Sequence, residues 1–136
     1  MKKGKEAPAP KPIMVEWKKL NEEYRDNNRS QADHIDVKLR AIECDACPLE
    51  DSRDEFDFTT DKEIMTDLAK MEHRRWNTNR WLAGWRLDER NDDQKTHPDL
   101  LPWEKLNTET QDYDIEAVAN IPHLLRENNE KVCKVV

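Results

Sequence analysis

The sequence is poor in glycine and lacks long apolar segments, and each scarcity excludes a class of protein. Only two of its 136 residues are glycine, so the glycine-rich loops that cradle phosphate in many nucleotide-binding folds are absent. No apolar run reaches the roughly 20 residues of a membrane-spanning helix. Residues 1–12 are rich in Lys, Ala and Pro, and without an apolar stretch we expect no signal peptide. The cysteine count of three is odd, which favours reduced thiols and a cytoplasmic protein.

Motifs for catalysis and for metal binding are also missing. The sequence contains no G-x-S-x-G, no H-E-x-x-H and no EF-hand loop. Cys44 and Cys47 form a lone C-x-x-C pair, whereas a structural zinc site needs two further ligands at suitable spacing. We therefore expect no enzyme, no metal and no cofactor.

What the sequence does contain is charge and tryptophan. Acidic residues outnumber basic ones by 30 to 23, for a net charge of -7, which disfavours a general nucleic-acid binder. A small anionic ligand is still allowed, because it needs only a local basic pocket. Hydrophobic residues make up only 35% of the chain, a composition that disordered chains share. Five tryptophans, four of them between residues 76 and 103, instead favour a small folded core with charged faces.

Apolar periodicity predicts a mainly α fold with a long structured loop between its two main helices and an N-terminal helical extension. A short amphipathic helix ends at Asn27–Ser30, and Ser30 with Asp33 resembles a capping box that starts a helix over residues 30–43. Asp61 caps the longest helix, about 62–85. The predicted segments are a disordered leader (1–15), the helical extension (16–60), a segment with both main helices (61–127) and a flexible tail (128–136).

The loop and the last helix complete this prediction. Residues 86–107 show little periodicity, and loops of this length are often functional. Thr108 or Asp114 caps the last helix, which Pro122 kinks or restarts. With so little glycine and no βαβ alternation, we expect no parallel sheet.

The long helix presents two different faces when its residues are placed 100° apart. One face is apolar and includes Leu68 and Trp85, with Arg75 intruding, so that Arg75 has to snorkel or pair. The opposite face carries His73, Trp76 and Arg80. An indole can stack on a nucleobase for roughly 1–3 kcal/mol, and a guanidinium offers a planar donor fork to phosphate. The pattern alone favours Trp76 as a core residue and Arg80 as the partner of an acid, because aromatic residues at helical spacing usually belong to the core.

Residues Leu68–Leu125 resemble the ryanodine-receptor (RyR) repeat. The family's H-x-x-W corresponds to His73 and Trp76, its GW to Gly84-Trp85, and its loop arginine to Arg90. The K-x-HP-x-L-x-P-aromatic pattern and the Tyr-Asp helix start follow in the same order, at Lys95, His97, Pro98, Leu100, Pro102, Trp103, Tyr113 and Asp114. With the preceding stretch, which is similar to the segment before the repeat in bacterial members, the resemblance covers residues 16–126.

The resemblance implies a binding function. Paired repeats in calcium-release channels form a helical unit that can hold an adenine nucleotide between Trp side chains, and bacterial members are proposed sensors of nucleotide signals, often near antiviral defence systems. One repeat supplies one such Trp, so we expect a homodimer in which each Trp76 forms one wall. The expected ligand-binding residues are His73, Trp76, Arg80, Arg90, Lys95, His97, Trp103 and Asp114.

Two hypotheses of different classes follow. In the first, the chain senses a nucleotide or nucleotide-derived messenger: Trp76 stacks on the base, Arg80 and Arg90 face phosphate, and Asp114 faces the base or ribose. The signal would pass to an effector, or to a channel or transport regulator. In the second, the Trp face docks a partner protein and no small molecule is needed. His97 can alternatively serve to fix the Pro-rich loop through a backbone hydrogen bond, and Lys95 can simply be solvated.

Overall fold

A computed structural model describes residues 17–135, except the side chains of residues 17–21, 23 and 24. The fold is mainly α, as predicted, and the predicted leader at 1–15 lies outside the described residues. The helices are α1 (Trp17–Ala41), α2 (Lys62–Leu82), α3 (Thr108–Ala119) and α4 (Ile121–Glu127). The strands are β1 (Cys44–Pro48), β2 (Arg86–Leu87), β3 (Thr96–His97) and β4 (Glu130–Lys134).

Helix α1 is continuous where a break was predicted. The Asn27 Oδ1 and Ser30 Oγ atoms each accept a hydrogen bond of 3.1 Å from Nη1 of Arg75 on α2. Asn and Ser usually compete with helix structure by bonding to nearby backbone. Here their side chains bond to the neighbouring helix instead, so the helix passes through them and the predicted capping box at Ser30 is wrong.

A buried ion cluster joins α1 to α2. Glu72 accepts hydrogen bonds from Lys38 at 2.9 Å and from Arg75 at 2.9 and 2.8 Å. All three residues are buried. Burial opposes the charge on Glu72, but hydrogen bonds and Coulombic attraction from Arg75 and Lys38 outweigh it and lower the pKa of this carboxyl. The expected pairing of Arg75 is confirmed.

Both ends of α2 are set by local chemistry. Asp61 accepts hydrogen bonds from the backbone N–H groups of Glu63 and Ile64 at 3.0 and 3.1 Å, as the predicted N-cap. The helix ends at Leu82 rather than at residue 85, because Gly84 adopts a left-handed φ of 93°. Glycine accepts such a φ without steric penalty, and the chain reverses direction there.

Helices α3 and α4 pack on α2 and on the strands, respectively. The N-cap of α3 is Asn107, which accepts a 2.8 Å hydrogen bond from Thr110 N–H, so neither Thr108 nor Asp114 has the predicted capping role. Pro122 lies in the first turn of α4 and restarts the helix. The core residues come from helices and strands alike: Leu39, Cys44, Phe58, Leu68, Ala69, Val118, Ile121, Leu125 and Val132.

The predicted flexible tail instead forms a strand. Residues 130–134 of β4 pair antiparallel with β1, with Cys44 opposite Lys134 and Pro48 opposite Glu130. Val132 is fully buried, and its carbonyl accepts a hydrogen bond from Phe56 N–H. The burial of Val132 and Cys133 anchors a strand that is too short and too charged for its sequence pattern to indicate.

The cysteines also differ from the expectation of three reduced thiols. Cys47 and Cys133 form a disulfide that links β1 to β4, and Cys44 is a buried free thiol. The partner of Cys47 is therefore distant in sequence rather than the other cysteine of the C-x-x-C pair. Burial raises the pKa of the Cys44 thiol, which makes it unreactive.

The loop after α2 contains a short parallel pairing, although no parallel sheet was expected. Arg86 and Leu87 of β2 pair with Thr96 and His97 of β3. This two-residue ladder folds the loop back beside the end of α2. Among the described helices, none combines the length and the apolar character that crossing a bilayer requires.

Candidate functional site

The residues of interest meet where the C-terminal half of α2, the loop 86–107 and α3 come together. Trp76 is half-buried at the centre. The His73 ring stacks beside it, with centroids 5.8 Å apart and planes 21° from parallel. The His97 ring approaches edge-on at 5.0 Å and 77°. We call His73, Trp76, Arg80, Trp85 and His97 the Trp76 cluster.

A second indole, that of Trp85, lies in this cluster because of how the chain turns at the end of α2. The N–H of Trp85 donates to the Arg80 carbonyl at 2.9 Å and the N–H of Gly84 donates to the Trp81 carbonyl at 3.0 Å. This hydrogen-bond pair is the Schellman motif that ends many helices. It turns the chain back, so that the Arg80 guanidinium carbon lies 5.7 Å from the Trp76 ring centroid and 5.2 Å from that of Trp85. Both distances suit a cation–π contact.

Sequence reasoning assigned Trp85 to the apolar face of the helix and so missed it. The helical wheel assumes that the helix continues through residue 85, whereas it ends at Leu82. The Gly84-Trp85 pair could have indicated the earlier helix end, because glycine just after a helix commonly has a left-handed conformation.

His73 is held by protein groups on both ring nitrogens. Its Nε2 donates to the Leu101 carbonyl at 2.7 Å, and its Nδ1 lies 3.2 Å from Oδ2 of Asp114. Burial opposes the charged ring, but these two hydrogen bonds and the Asp114 charge outweigh it and raise the pKa of His73. A ring engaged in this way has no nitrogen left for a ligand. His73 therefore does not have the expected role of a donor to phosphate or base. Asp114, which was expected to face a base or ribose, pairs with His73 instead.

The Leu101 carbonyl ties the long loop to α2. Besides the bond from His73, it accepts a 3.0 Å hydrogen bond from Nδ2 of Asn77. Asn77 is buried, and within the described part of the chain its Oδ1 has no hydrogen-bond partner. Trp103 follows in the loop, half-buried, with its ring edge-on to His73 at 6.5 Å. Sequence reasoning missed Asn77, whose role depends on a contact 24 residues along the chain.

His97 is fixed with a defined tautomer. Its Nδ1 accepts a 3.0 Å hydrogen bond from the Asp99 N–H, so a neutral ring carries its proton on Nε2. Burial lowers the pKa of His97, and the nearby Asp99 charge only partly offsets this. The backbone bond confirms that His97 helps to fix the Pro-rich loop, and it leaves a ring donor beside Trp76.

Lys95 and Arg90 bond to groups on the loop and at the end of α2. Lys95 has a left-handed φ of 58°, and its Nζ donates to the Ala83 carbonyl at 3.0 Å. A cation at this position satisfies a carbonyl at the end of α2. Arg90 is exposed and pairs with Asp92 at 3.3 Å.

The structure thus brings together six of the eight predicted binding residues, namely His73, Trp76, Arg80, His97, Trp103 and Asp114. Lys95 and Arg90 lie on the adjoining loop. Among the described residues, no group of three His, Cys, Asp or Glu side chains is placed to hold a metal ion.

A second concave surface lies between α1 and α2, away from Trp76. This groove has a volume of about 450 Å³. Its lining contains two arginines and a histidine but no carboxylate, and comprises Ser30, His34, Met71, Arg74, Arg75, Thr78, Asn79 and Leu82. Leu82 is 84% exposed. Since Arg75 is paired with Glu72, the groove combines one exposed cation, Arg74, with an uncovered apolar side chain, Leu82.

Comparison with known proteins identifies one family. The sequence model described as the RyR domain matches residues 56–132, more than half of the chain. The match contains every residue of the Trp76 cluster and extends from Phe56 into β4. No curated protein matches the chain.

Proposed function

Because the chain belongs to the RyR domain family, we propose that it is a non-enzymatic sensor that binds a nucleotide or nucleotide-derived messenger at the Trp76 cluster. The observation that carries the proposal is the placement of one guanidinium, that of Arg80, within 6 Å of two indole centroids. Flat aromatic surfaces with planar cations between them are suited to planar heterocycles, since bases stack on indole and on guanidinium alike.

Each member of the cluster has a distinct part in this proposal. Trp76 and Trp85 offer stacking surfaces, and Arg80 either stacks on the ligand or donates to it. His97 supplies a directional donor, because its Nδ1 is already occupied by the Asp99 N–H. His73 and Asp114 position α2 against α3 rather than touching the ligand, since they are bonded to one another.

The dimer and the downstream partner belong to the proposal as well. With Trp85 near Arg80, one chain provides two indoles, and a two-fold dimer would bring four around a shared ligand. The homodimer stays a prediction, which light scattering with and without nucleotide would test. A cytoplasmic location, a defence context, and an effector or transport-regulator partner rest on the resemblance to bacterial members.

A protein-interaction module is the second candidate, and the groove between α1 and α2 favours it. Arg74 lines this groove and is exposed. Leu82 and Met71 supply apolar contacts, so the surface complements an acidic amphipathic helix. The two candidates use different faces and can be separated by mutation.

The test is a thermal-shift screen against nucleosides and mono-, di-, tri- and cyclic nucleotides, with Trp fluorescence recorded in parallel. A ligand that binds only the folded state raises the melting temperature through mass action. Trp76→Ala should abolish the shift while the far-UV helical signal is retained. Trp81→Ala is the matched control, because Trp81 lies on the same helix, is 54% exposed and should leave the shift unchanged.

The outcomes separate the candidates. A shift that survives Trp76→Ala places the ligand elsewhere. If no compound shifts the melting temperature of the folded wild-type protein, the sensor proposal fails, and the Leu82→Asp variant becomes the test of the groove in binding assays with acidic helical peptides.

A further inference from the structure

We infer that the groove between α1 and α2 is a second binding site of the chain, and that it takes a carboxylate attached to an apolar body. This site is separate from the proposed function, because none of the described residues that line the groove belongs to the Trp76 cluster. A free organic acid and the acidic side chain of a peptide offer the same chemistry, so the experiment compares the two sources.

The groove follows from helical spacing on the two helices that form it. Ser30 and His34 lie about one turn apart on α1. Met71, Thr78 and Leu82 lie about two turns and one turn apart along α2. Side chains at such intervals share one face of a helix, and the two faces enclose a volume of about 450 Å³. Sites for small molecules are commonly of this size.

His34 supplies a hydrogen-bond donor on the α1 side of the groove. Its Nδ1 lies 3.0 Å from Nζ of Lys38. An ammonium group can only donate, so Nδ1 accepts this hydrogen bond and the proton of the neutral ring is on Nε2. Burial lowers the pKa of His34, and the charges of Lys38 and Arg75 lower it further against the effect of Glu72. A neutral ring with its proton on Nε2 can donate to an anionic oxygen.

The buried ion cluster beside the groove has more positive than negative charge. Lys38 and Arg75 share one carboxylate, that of Glu72. Asp114 also acts on Lys38, less strongly than Glu72 does, and is bonded to His73. Burial lowers the pKa of Lys38 despite the attraction of Glu72, so the positive charge of the cluster is incompletely compensated. Such a charge is costly in the interior, and an anion in the groove would offset part of that cost.

The lining adds a cation, a hydroxyl donor and apolar surface. Among the described lining residues, Arg74 is the one exposed cation and none is a carboxylate. Oγ of Ser30 accepts a 3.1 Å hydrogen bond from Arg75, so its own O–H can donate. Met71 and Leu82 supply the apolar surface. One exposed cation matches the single charge of a carboxylate better than the two charges of a phosphate monoester.

NMR of the histidine rings in the whole chain, with hexanoate as the probe, tests the site. Hexanoate should move the ring signals of His34 and leave those of His123 in place, because His123 lies on α4 and is 68% exposed. Hexylamine and hexanol keep the apolar chain but lack the carboxylate, so neither should move the His34 signals.

Variants identify the groups that bind the probe. Arg74→Gln should weaken hexanoate binding about fivefold, because it removes a hydrogen bond to a charged group. Arg40→Gln is the matched control and should leave the affinity unchanged, since Arg40 is an exposed arginine in the last turn of α1 and is not among the lining residues. Trp76→Ala should also leave it unchanged, so the groove and the nucleotide sensor are tested separately.

A helical peptide with Glu beside Leu, compared with the same peptide carrying Gln in place of Glu, identifies the source of the carboxylate. Tighter binding of the Glu peptide than of hexanoate, dependent on Arg74, assigns the groove to an acidic partner, and the reverse assigns it to a free acid. The inference is overturned if neither acid moves the His34 signals, if hexylamine or the Gln peptide binds equally well, or if Arg74→Gln leaves both affinities unchanged.

Discussion

Trp76 is flanked by two histidines whose environments shift their pKa values in opposite directions. The His73 ring is held between the Leu101 carbonyl and the Asp114 carboxylate, which raise its pKa against the effect of burial. The His97 ring accepts a backbone N–H, and burial lowers its pKa. The same residue type is thus shifted toward its charged form on one side of the indole and toward its neutral form on the other.

The His73–Asp114 pair predicts a pH-dependent stability. Because the folded-state pKa of His73 is raised above the ordinary value of 6.5, the stabilisation is fully present below that value and is lost as pH rises through the folded-state pKa. Asp114→Asn should therefore reduce the free energy of unfolding more at about pH 5.5 than at about pH 9. Urea unfolding at both pH values measures this.

Asp112→Asn is the control for that comparison, because Asp112 is an exposed acid on the same helix. Its effect should be small and nearly the same at both pH values. The pKa values of His34 and His97 are lowered, so these residues change the pH dependence of stability in the opposite direction. They do so in the wild type and in both variants, so their contribution cancels when a variant is compared with the wild type. An equal effect of Asp114→Asn at both pH values would show that His73 is not charged in the folded protein.

At the scale of elements, α1 and α2 are joined by buried charge as well as by apolar packing. Glu72 is the only carboxylate among the buried residues of the described chain, and it forms ion pairs with both Lys38 and Arg75. Arg75 also donates hydrogen bonds to Asn27 and Ser30 in the polar middle of the first helix. The orientation of the two helices therefore depends on one carboxylate.

Glu72→Gln should destabilise the protein by about 3–5 kcal/mol, because removing one partner leaves buried charge uncompensated. The exposed Asp26–Arg29 pair on α1 is the matched comparison, with side chains about two-thirds exposed. Asp26→Asn should change stability by at most about 1 kcal/mol. Chemical denaturation of both variants measures the contrast, and similar small losses would mean that the cluster is solvated in solution.

At the scale of the whole molecule, residues near the end of the described chain pair with β1 through strand β4. The Cys47–Cys133 disulfide spans 86 residues of sequence, and a cross-link across a long loop typically contributes about 2–5 kcal/mol. The loop carrying His97, together with α3 and α4, lies within this covalently closed segment.

The disulfide predicts the number of free thiols. Alkylation of the denatured but unreduced protein, followed by mass spectrometry, should label one cysteine, Cys44. The Cys47→Ser variant should label two and should melt at a lower temperature than the wild type. Three labelled cysteines in the wild-type protein would contradict the disulfide and agree with a reducing compartment.

The features that could be predicted from the sequence are those set by neighbouring residues, and those set by residues distant in the sequence were missed. Asp61 was recognised as the cap of α2 because capping acts within three residues. The positions of His73, Trp76 and Arg80 on one helix face followed from helical spacing alone. The strand at 130–134 was missed, because its pairing with β1 and the burial of Val132 depend on residues more than 80 positions away.

The sequence by itself determined the mainly α class, the family and the helix face that carries Trp76, since these depend on composition, periodicity and ordered motifs. Only the tertiary structure decided what each polar side chain bonds to. In the folded chain, Arg75 bonds to Glu72 and to α1, both ring nitrogens of His73 have protein partners, and Trp85 lies beside Arg80. The physical reason is that hydrogen bonds and ion pairs depend on atoms brought together by folding, whereas periodicity is set by each segment alone.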